Sequence, residues 1–338
     1  VIDLLVAGGG PAGLATAIHA ARAGMEVVVV EPRAAPVDKA CGEGIMPGGV
    51  LALEALGVRV GGRTLRGIRY VDGRHHAQAS FAGAPGLGVR RTELHAALAR
   101  RAAEAGVEVV PGRITRVSQS ADAVTAGGLR ARWLAAADGL HSPLRHTLGL
   151  DMPSGRPRRF GLRRHYRMEP WTDFVEVHWS GCGEAYVTPV GDGLVGVAVL
   201  STAKRGFDAH LRHFPQLSPL LDGRPPDGSV RGAGPLRQRA RRRTAGRVLL
   251  VGDAAGYTDA LTGEGVALAL ASAEAAVRCL RAGSPQAYER CWRQLSLRHR
   301  LLTEGLVRMS GHAAVARLVV PAAARMPSLF TAAVRALQ

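Results

Sequence analysis

Six residues near the start, Gly8-Gly9-Gly10-Pro11-Ala12-Gly13, constrain this chain more than any other stretch. The apolar run Ile2-Asp3-Leu4-Leu5-Val6-Ala7 ends abruptly at them, and Ala and Leu then recur at helical spacing to Ala23. That pattern reads as strand, tight turn and helix. Gly24 stops the helix, and residues 25–30 form the continuous apolar run of a buried parallel strand. Gly8 permits the sharp turn, Gly10 leaves the backbone bare for a pyrophosphate, and Gly13 lets helix and strand approach closely. Pro11 and Ala12 open the helix, whose N-terminal N–H groups suit phosphate. Glu31, eighteen residues after Gly13, can accept both hydroxyls of an adenosine ribose and would repel a 2′-phosphate. The spacing therefore predicts bound FAD or NAD, with Pro32 and Arg33 beside the ribose.

Two later junctions repeat the strand-to-loop pattern. An apolar run after Trp133 ends in Asp138-Gly139, with His141, Ser142 and Arg145 following. A second, from Arg247, ends in Gly252-Asp253-Ala254-Ala255-Gly256, and Thr262-Gly263-Glu264-Gly265-Val266 then opens an Ala-rich helix to about Ala282. In this order the three motifs resemble the glutathione-reductase-type FAD fold of aromatic hydroxylases and geranylgeranyl-reductase-like flavoproteins. The resemblance covers most of the chain and selects FAD. It implies an α/β fold: an FAD-binding Rossmann-like parallel sheet with an inserted antiparallel β-sheet substrate domain and C-terminal helices. It also implies Asp253 on the ribityl chain, unless that carboxylate merely caps the next turn. The helix after Gly265 would aim at the flavin pyrimidine edge, with Gly263, Gly265 and Val266 presenting backbone N–H groups. Arg91 matches the Arg-x-x-Leu position beside the cofactor, with Arg90 adjacent, and Asp138 and Gly139 join the same crevice.

Alternating patterns predict strands at 160–168, 174–179, 184–189 and 194–200, and a piece at 67–81 is expected in the same sheet. The FAD-binding unit is then discontinuous: residues 1–66, 88–153 and 234–284. Residues 67–87 and 154–233 form the substrate-binding sheet, and 285–338 form helices packed on the FAD unit.

Lys39-Ala40-Cys41-Gly42-Glu43 is similar to the Lys-x-Cys-Gly segment of geranylgeranyl-reductase-like members, which lies beside the flavin. Cys41 and Gly42 are thus expected at the cofactor, with Cys41 either a participating thiol or a small core residue. Prenyl reductases carry Tyr-x-Trp-x-Phe-Pro on the opposite wall. Here Glu184, Tyr186 and Thr188 replace the aromatics and only Pro189 matches, which suggests a smaller, more polar substrate bonded to Tyr186. The aromatic-hydroxylase third motif continues with His and Pro, whereas this chain has Gly256-Tyr257-Thr258-Asp259-Ala260. Tyr186, Cys41 and Glu43 are the catalytic candidates; His165 and His178, on predicted strands, are alternative bases or ordinary strand histidines.

The resemblance implies an FAD-dependent monooxygenase acting on a small to medium aromatic or polyketide-type secondary metabolite, with oxygen adding at flavin C4a. The alternatives are a reductase of isoprenoid C=C bonds and a non-catalytic flavin- or ligand-binding protein. No second GxGxxG follows a strand, so NAD(P)H is expected to bind transiently or a separate reductase to deliver electrons.

The formal charge of +17 would ordinarily point to nucleic acid. Lys occurs only at positions 39 and 204, however, and no nucleic-acid motif accompanies the arginines, so an Arg-biased composition explains the charge and no nucleic-acid partner is expected. Arg237, Arg239, Arg241, Arg242 and Arg243 could attract NADPH phosphates or an acidic reductase, or form a solvated stretch. Residues 301–330, where Arg308, Arg317 and Arg325 interrupt apolar stretches, suit packing or peripheral membrane contact. The four cysteines form no CxxC pair, so neither a disulfide framework nor a metal site is expected. With no apolar run of eighteen residues and no signal peptide pattern, a cytoplasmic location is expected.

Overall fold

The apolar run after Gly24 becomes the strand Val27–Glu31, every residue of which is buried. It lies in a parallel sheet ordered Val248–Leu250, Leu129–Ala136, Ile2–Ala7, Val27–Glu31, Glu108–Pro111. The short strand Thr244–Ala245 flanks one edge antiparallel. The structure, a computed structural model, describes residues 1–153, 155 and 158–336. Ser154, where the second unit is expected to start, and the last two residues of the third lie outside them.

Helices Pro11–Arg22 and Gly265–Arg281 pack against each other, and both are rich in alanines essentially inaccessible to solvent, among them Ala15, Ala17, Ala20, Ala273 and Ala276. Side chains this small let the axes approach, and the approach aligns both N-termini with the carboxyl ends of the strands. In open α/β sheets that edge is where ligands bind.

The second sheet has seven strands: Pro226–Ala233, Phe160–Arg167, Leu194–Ser201, Gly183–Gly191, Phe174–Ser180, Gly67–Val71, His76–Ser80. All neighbours are antiparallel except Phe174–Ser180 with Gly67–Val71. Its two faces divide with period two. Ala185, Val187, Val195, Val197 and Val199 pack with Phe207, Leu211 and Phe214 on one side. Val177, Trp179, Tyr186, Ala198 and Leu200 face the other, against Val307, Val320, Phe330 and Val334.

That second face changes the expected place of the C-terminal helices. Ala287–Ser310 begins on the parallel-sheet core through Tyr288 and Trp292, but Ala313–Arg325 and Pro327–Arg335 lie against the antiparallel sheet. The reason is the unfilled apolar side of that sheet: Tyr70 meets Phe330 and Trp179 with ring centroids 4.8 and 5.3 Å apart. Leu297, Leu301, Leu318 and Leu329 stay more than half exposed on the outer side. No helix among the described residues is long and apolar enough to cross a membrane. Cys279 and Cys291, dispersed in sequence, face each other with Sγ atoms 3.9 Å apart as free thiols.

Candidate cofactor and active site

The first junction is a close fit that tolerates no side chain at two of its glycines. Gly8 has φ of +103°, and a Cβ there would sit 2.5 Å from the Ala137 carbonyl oxygen. A Cβ on Gly13 would sit 1.8 Å from the Gly8 carbonyl oxygen, so helix and turn touch backbone to backbone. Gly10 differs: a Cβ there meets nothing within 4 Å. Gly10 is the helix N-cap residue and no side chain caps it, so the first N–H groups face that open space.

Glu31 closes one side. Its Oε2 accepts the Gly9 N–H at 2.7 Å, and its Oε1 accepts Arg33 Nε at 2.6 Å and Arg33 N at 3.1 Å. Burial alone would raise its pKa, but the bonds from Arg33 and Gly9 outweigh burial and hold the carboxyl below its ordinary value. A lowered folded pKa stabilises above the unfolded value near 4.5 and ceases to as pH falls through the folded value. Glu31→Gln should therefore lower apoprotein stability by about 1.5–3 kcal/mol at pH 7, with a deficit that narrows below pH ~4. Denaturant melts at pH 7 and pH 3.5 check this; a pH-independent deficit would exclude the carboxylate's charge as the cause.

The other two motifs converge on the same edge. Asp138 Oδ2 accepts Leu144 N at 3.0 Å, while its buried Oδ1 has no partner. Gly139 adopts φ of +88° with the Lys39 ammonium beside it. Gly252, at φ +62°, packs so closely on the first helix that a Cβ would stand 2.6 Å from Ala12 Cβ. Asp253 is half-buried and caps no helix: Val251 holds the N-cap position, and among the described residues the Asp253 carboxylate has no hydrogen-bond partner. Burial raises its pKa against the pull of Lys39, Arg91 and Arg145. Gly263 turns at φ +71°, and Gly265 and Val266 start the helix over the crevice without a side-chain cap. Arg91, not Arg90, points into this region: it is buried with Nη1 unpartnered, whereas Arg90 pairs with Asp227 at 2.9 Å. Uncapped helix N–H groups, an unspent guanidinium and two carboxylates with free oxygens are what a dinucleotide's phosphates and hydroxyls require, so the residues fit FAD.

Sequence reasoning gave no role to two residues that brace this crevice. Arg145, buried, donates to the carbonyls of Ala254 (3.1 Å) and Leu140 (3.0 Å) and pairs with Asp151, tying the second motif to the third. His95 Nε2 lies 2.9 Å from the Gly9 carbonyl oxygen. Nothing local announces either contact.

On the neighbouring wall, the Cys41 thiol accepts Glu43 N at 3.4 Å, and burial, then the Glu43 charge, raise its pKa, keeping it protonated. Glu43 is the one non-glycine described residue with positive φ, +61°, at a cost of about 1–2 kcal/mol. That backbone turns its carboxylate to His165 Nε2 at 2.5 Å and Arg91 N at 2.9 Å. Arg163 adds a contact to His165 Nδ1 at 3.1 Å and pairs with Asp38. His165 is therefore a partner of Glu43, and His178 rests 3.3 Å from Glu176; neither ring is free of a carboxylate. Thr188 Oγ1 donates to the Gly42 carbonyl at 2.8 Å, joining sheet to segment.

Tyr186 lies on the sheet face turned to the C-terminal helices. It is buried, and its hydroxyl donates to the Leu261 carbonyl at 2.8 Å. Burial, then the nearby Glu184 charge, push its pKa well above the phenol value. Below it Arg159 binds Glu184, approaches Asp259 at 3.4 Å and donates to Ser310 Oγ at 3.0 Å. All three charged groups are at most 4% exposed. Asp259 also accepts Leu261 N at 3.2 Å, so this ion cluster anchors the loop that receives the Tyr186 hydroxyl.

A family model described as FAD binding domain matches residues 2–284. The menaquinone reductase of Mycolicibacterium smegmatis is 31% identical over 331 residues, 88% of this chain and 80% of that protein. Digeranylgeranylglycerophospholipid reductase 1 of Methanothermobacter thermautotrophicus is 29% identical over 301 residues, 78% and 73% of the two chains. Among solved structures, the geranylgeranyl bacteriochlorophyll reductase-like protein of Thermoplasma acidophilum superposes with TM-score 0.78 at 22% identity over 95% of this chain and 90% of that one. The flavin-dependent halogenase CmlS superposes with TM-score 0.81 at 22% identity; 91% of this chain is covered, spanning 64% of the halogenase. At such identity these two structures establish the fold alone.

Proposed function

The chain belongs to the FAD binding domain family, and on that premise we propose that it is an FAD-dependent reductase of carbon–carbon double bonds in a lipid bearing an isoprenoid chain. The observation that carries this reading is the likeness, along most of the chain, to proteins named as reductases of such lipids. The geometry supports it on two points. Cys41 is a protonated thiol within the electrostatic reach of Arg91, able to deliver its Sγ proton and leave a thiolate that Arg91 stabilises. Tyr186, with its hydroxyl committed to Leu261 and its pKa raised, is poorly suited to the proton removal that hydroxylation of a phenol would ask of it.

FAD, when bound, supplies the hydride. Glu31 and the Gly10 helix terminus hold the adenosine and pyrophosphate, Asp253 and Arg91 the inner half, and the Gly265 helix terminus the pyrimidine edge. Glu43 and His165 fix the Cys41 segment, and Thr188 fixes Gly42. The positions where prenyl reductases carry aromatics hold Glu184 paired with Arg159, Tyr186 bonded to the Leu261 carbonyl and Thr188 bonded to the Gly42 carbonyl, so each polar side chain there is committed within the protein.

Product mass tests the reading against its rival, oxygenation. Holoprotein given a reductant and an isoprenoid quinone should return, after air reoxidation of the quinone ring, a quinone still heavier by two hydrogens located in its isoprenoid chain, with no oxygen incorporated. Cys41→Ser should slow turnover about 100-fold with flavin content unchanged. Gain of one oxygen atom would replace this proposal with the monooxygenase.

A further inference from the structure

Behind the third motif lies a cavity of about 250 Å³ that none of the residues assigned to FAD lines. Its wall is formed by Arg239, Arg241 and Arg300, the Tyr257-Thr258 loop and Trp292. We propose that this cavity binds the phosphate or diphosphate group of an anionic ligand, at a site separate from the dinucleotide crevice.

Three observations carry the inference. First, the arginines here divide into two kinds. Arg237 is neutralised by Glu304 at 2.9 Å, and Arg243 by Glu289 at 3.0 Å while stacked on the Trp292 ring with its guanidinium 3.8 Å from the centroid. Among the described residues Arg239, Arg241 and Arg300 have no carboxylate partner, so three positive charges line one concavity uncompensated. A purely solvated stretch would spread its charge outward; Arg300 is instead half-buried and close enough to oppose the Arg243 charge.

Second, Trp292 is 2% exposed and its Nε1 donor has no acceptor. The Nε1 atom is itself closed off from solvent, so Trp292 serves as the fixed wall on which Arg243 stacks rather than as a donor to the ligand. Third, the size suits a charged group rather than a whole ligand: sites that enclose a drug-sized molecule run to about 300–1,000 Å³. The remainder of the ligand would lie outward over the exposed Arg239 and Arg241.

Tyr257 connects the two sites. It lines the cavity, its pKa is raised by burial and then by Asp253 with further contribution from Cys41, and a Cβ on Gly265 would touch its ring at 3.5 Å. An occupied cavity therefore presses on a residue that also borders the flavin crevice. Two sources offer the chemistry, the 2′-phosphate of NADPH and the diphosphate of a prenyl lipid.

The test is calorimetric titration of FAD-loaded protein at 150 mM salt with inorganic pyrophosphate, NADP⁺ and NAD⁺. Pyrophosphate should bind, and Arg239→Ala/Arg300→Ala should weaken it at least about tenfold. Arg281→Ala, an exposed arginine elsewhere, should change nothing, and flavin content should hold in every variant. NADP⁺ binding about tenfold tighter than NAD⁺ identifies the nucleotide 2′-phosphate; pyrophosphate binding without that preference identifies a diphosphate. Absence of binding by any of the three, binding unaffected by Arg239→Ala/Arg300→Ala, or equal loss in Arg281→Ala overturns the site.

Discussion

Gly13→Ala is expected to give protein with both a less stable apoprotein fold and a flavin affinity at least about tenfold weaker, whereas Gly10→Ala should weaken flavin alone. The difference follows from what each new methyl would meet. At Gly13 it would lie 1.8 Å from the Gly8 carbonyl oxygen and 3.3 Å from Ala137 Cβ, in a wall of backbone that cannot rotate away. The helix must retreat from the turn, at a cost of about 1–3 kcal/mol for overpacking, and its N–H groups retreat with it. Every 1.4 kcal/mol taken from the phosphate contacts is about tenfold in affinity. At Gly10 the methyl enters open space, so the fold is spared and only a ligand is displaced. Apoprotein melting and flavin titration separate the two. A Gly10 variant that melts early, or a Gly13 variant that binds flavin normally, would contradict the assignment of the crevice.

Arg159→Met should be among the most destabilising substitutions in the protein, by about 3–5 kcal/mol at pH 8, because it leaves Glu184 and Asp259 as buried carboxylates with no counter-charge. The deficit has a direction in pH. Burial already raises both carboxyl pKa values, and Arg159 holds them down; without it they rise further. A carboxyl whose folded pKa lies above its unfolded value stabilises at low pH and loses that contribution as pH climbs through the folded value. The variant should recover as pH is lowered from 8 towards 5, in a higher pH range than the one in which the Glu31→Gln deficit narrows. Adding Glu184→Gln should restore part of the loss. Melting curves across pH for the three proteins decide the matter, and a deficit independent of pH would mean that Arg159 acts through packing rather than charge.

The parts of the site legible in sequence are those made within a few residues of a chain turn. Gly8, Asp138 and Gly252 each sit where a run of apolar residues stops, and Gly13 lies in the first turn of the helix that follows; the turn itself demands their side chains or lack of them. Contacts assembled across the fold left no such trace. Arg159 meets Glu184 and Ser310 across separations of 25 and 151 residues, and Tyr186 reaches Leu261 across 75. The destination of the Glu43 carboxylate depends on one backbone angle that the segment Cys41-Gly42-Glu43 does not advertise. Likewise, residues beyond 285 read correctly as helices, but amphipathic pattern cannot say which of two sheets an apolar stripe will cover; Tyr70 and Trp179 decide that from far upstream.

The single parallel pairing in the second sheet bears on the order in which the chain can be completed. Gly67–Val71 waits for Phe174–Ser180, and Ile2–Ala7 gains its neighbour Leu129–Ala136 well before that strand gains Val248–Leu250. Neither sheet can close while its nearer strands alone have left the ribosome, so the nascent protein carries unpaired strand edges across most of its synthesis. Truncation ahead of residue 248 would remove the strand Val248–Leu250 along with the Gly252-Asp253 turn, so the parallel sheet and the cofactor crevice are completed by the same late segment.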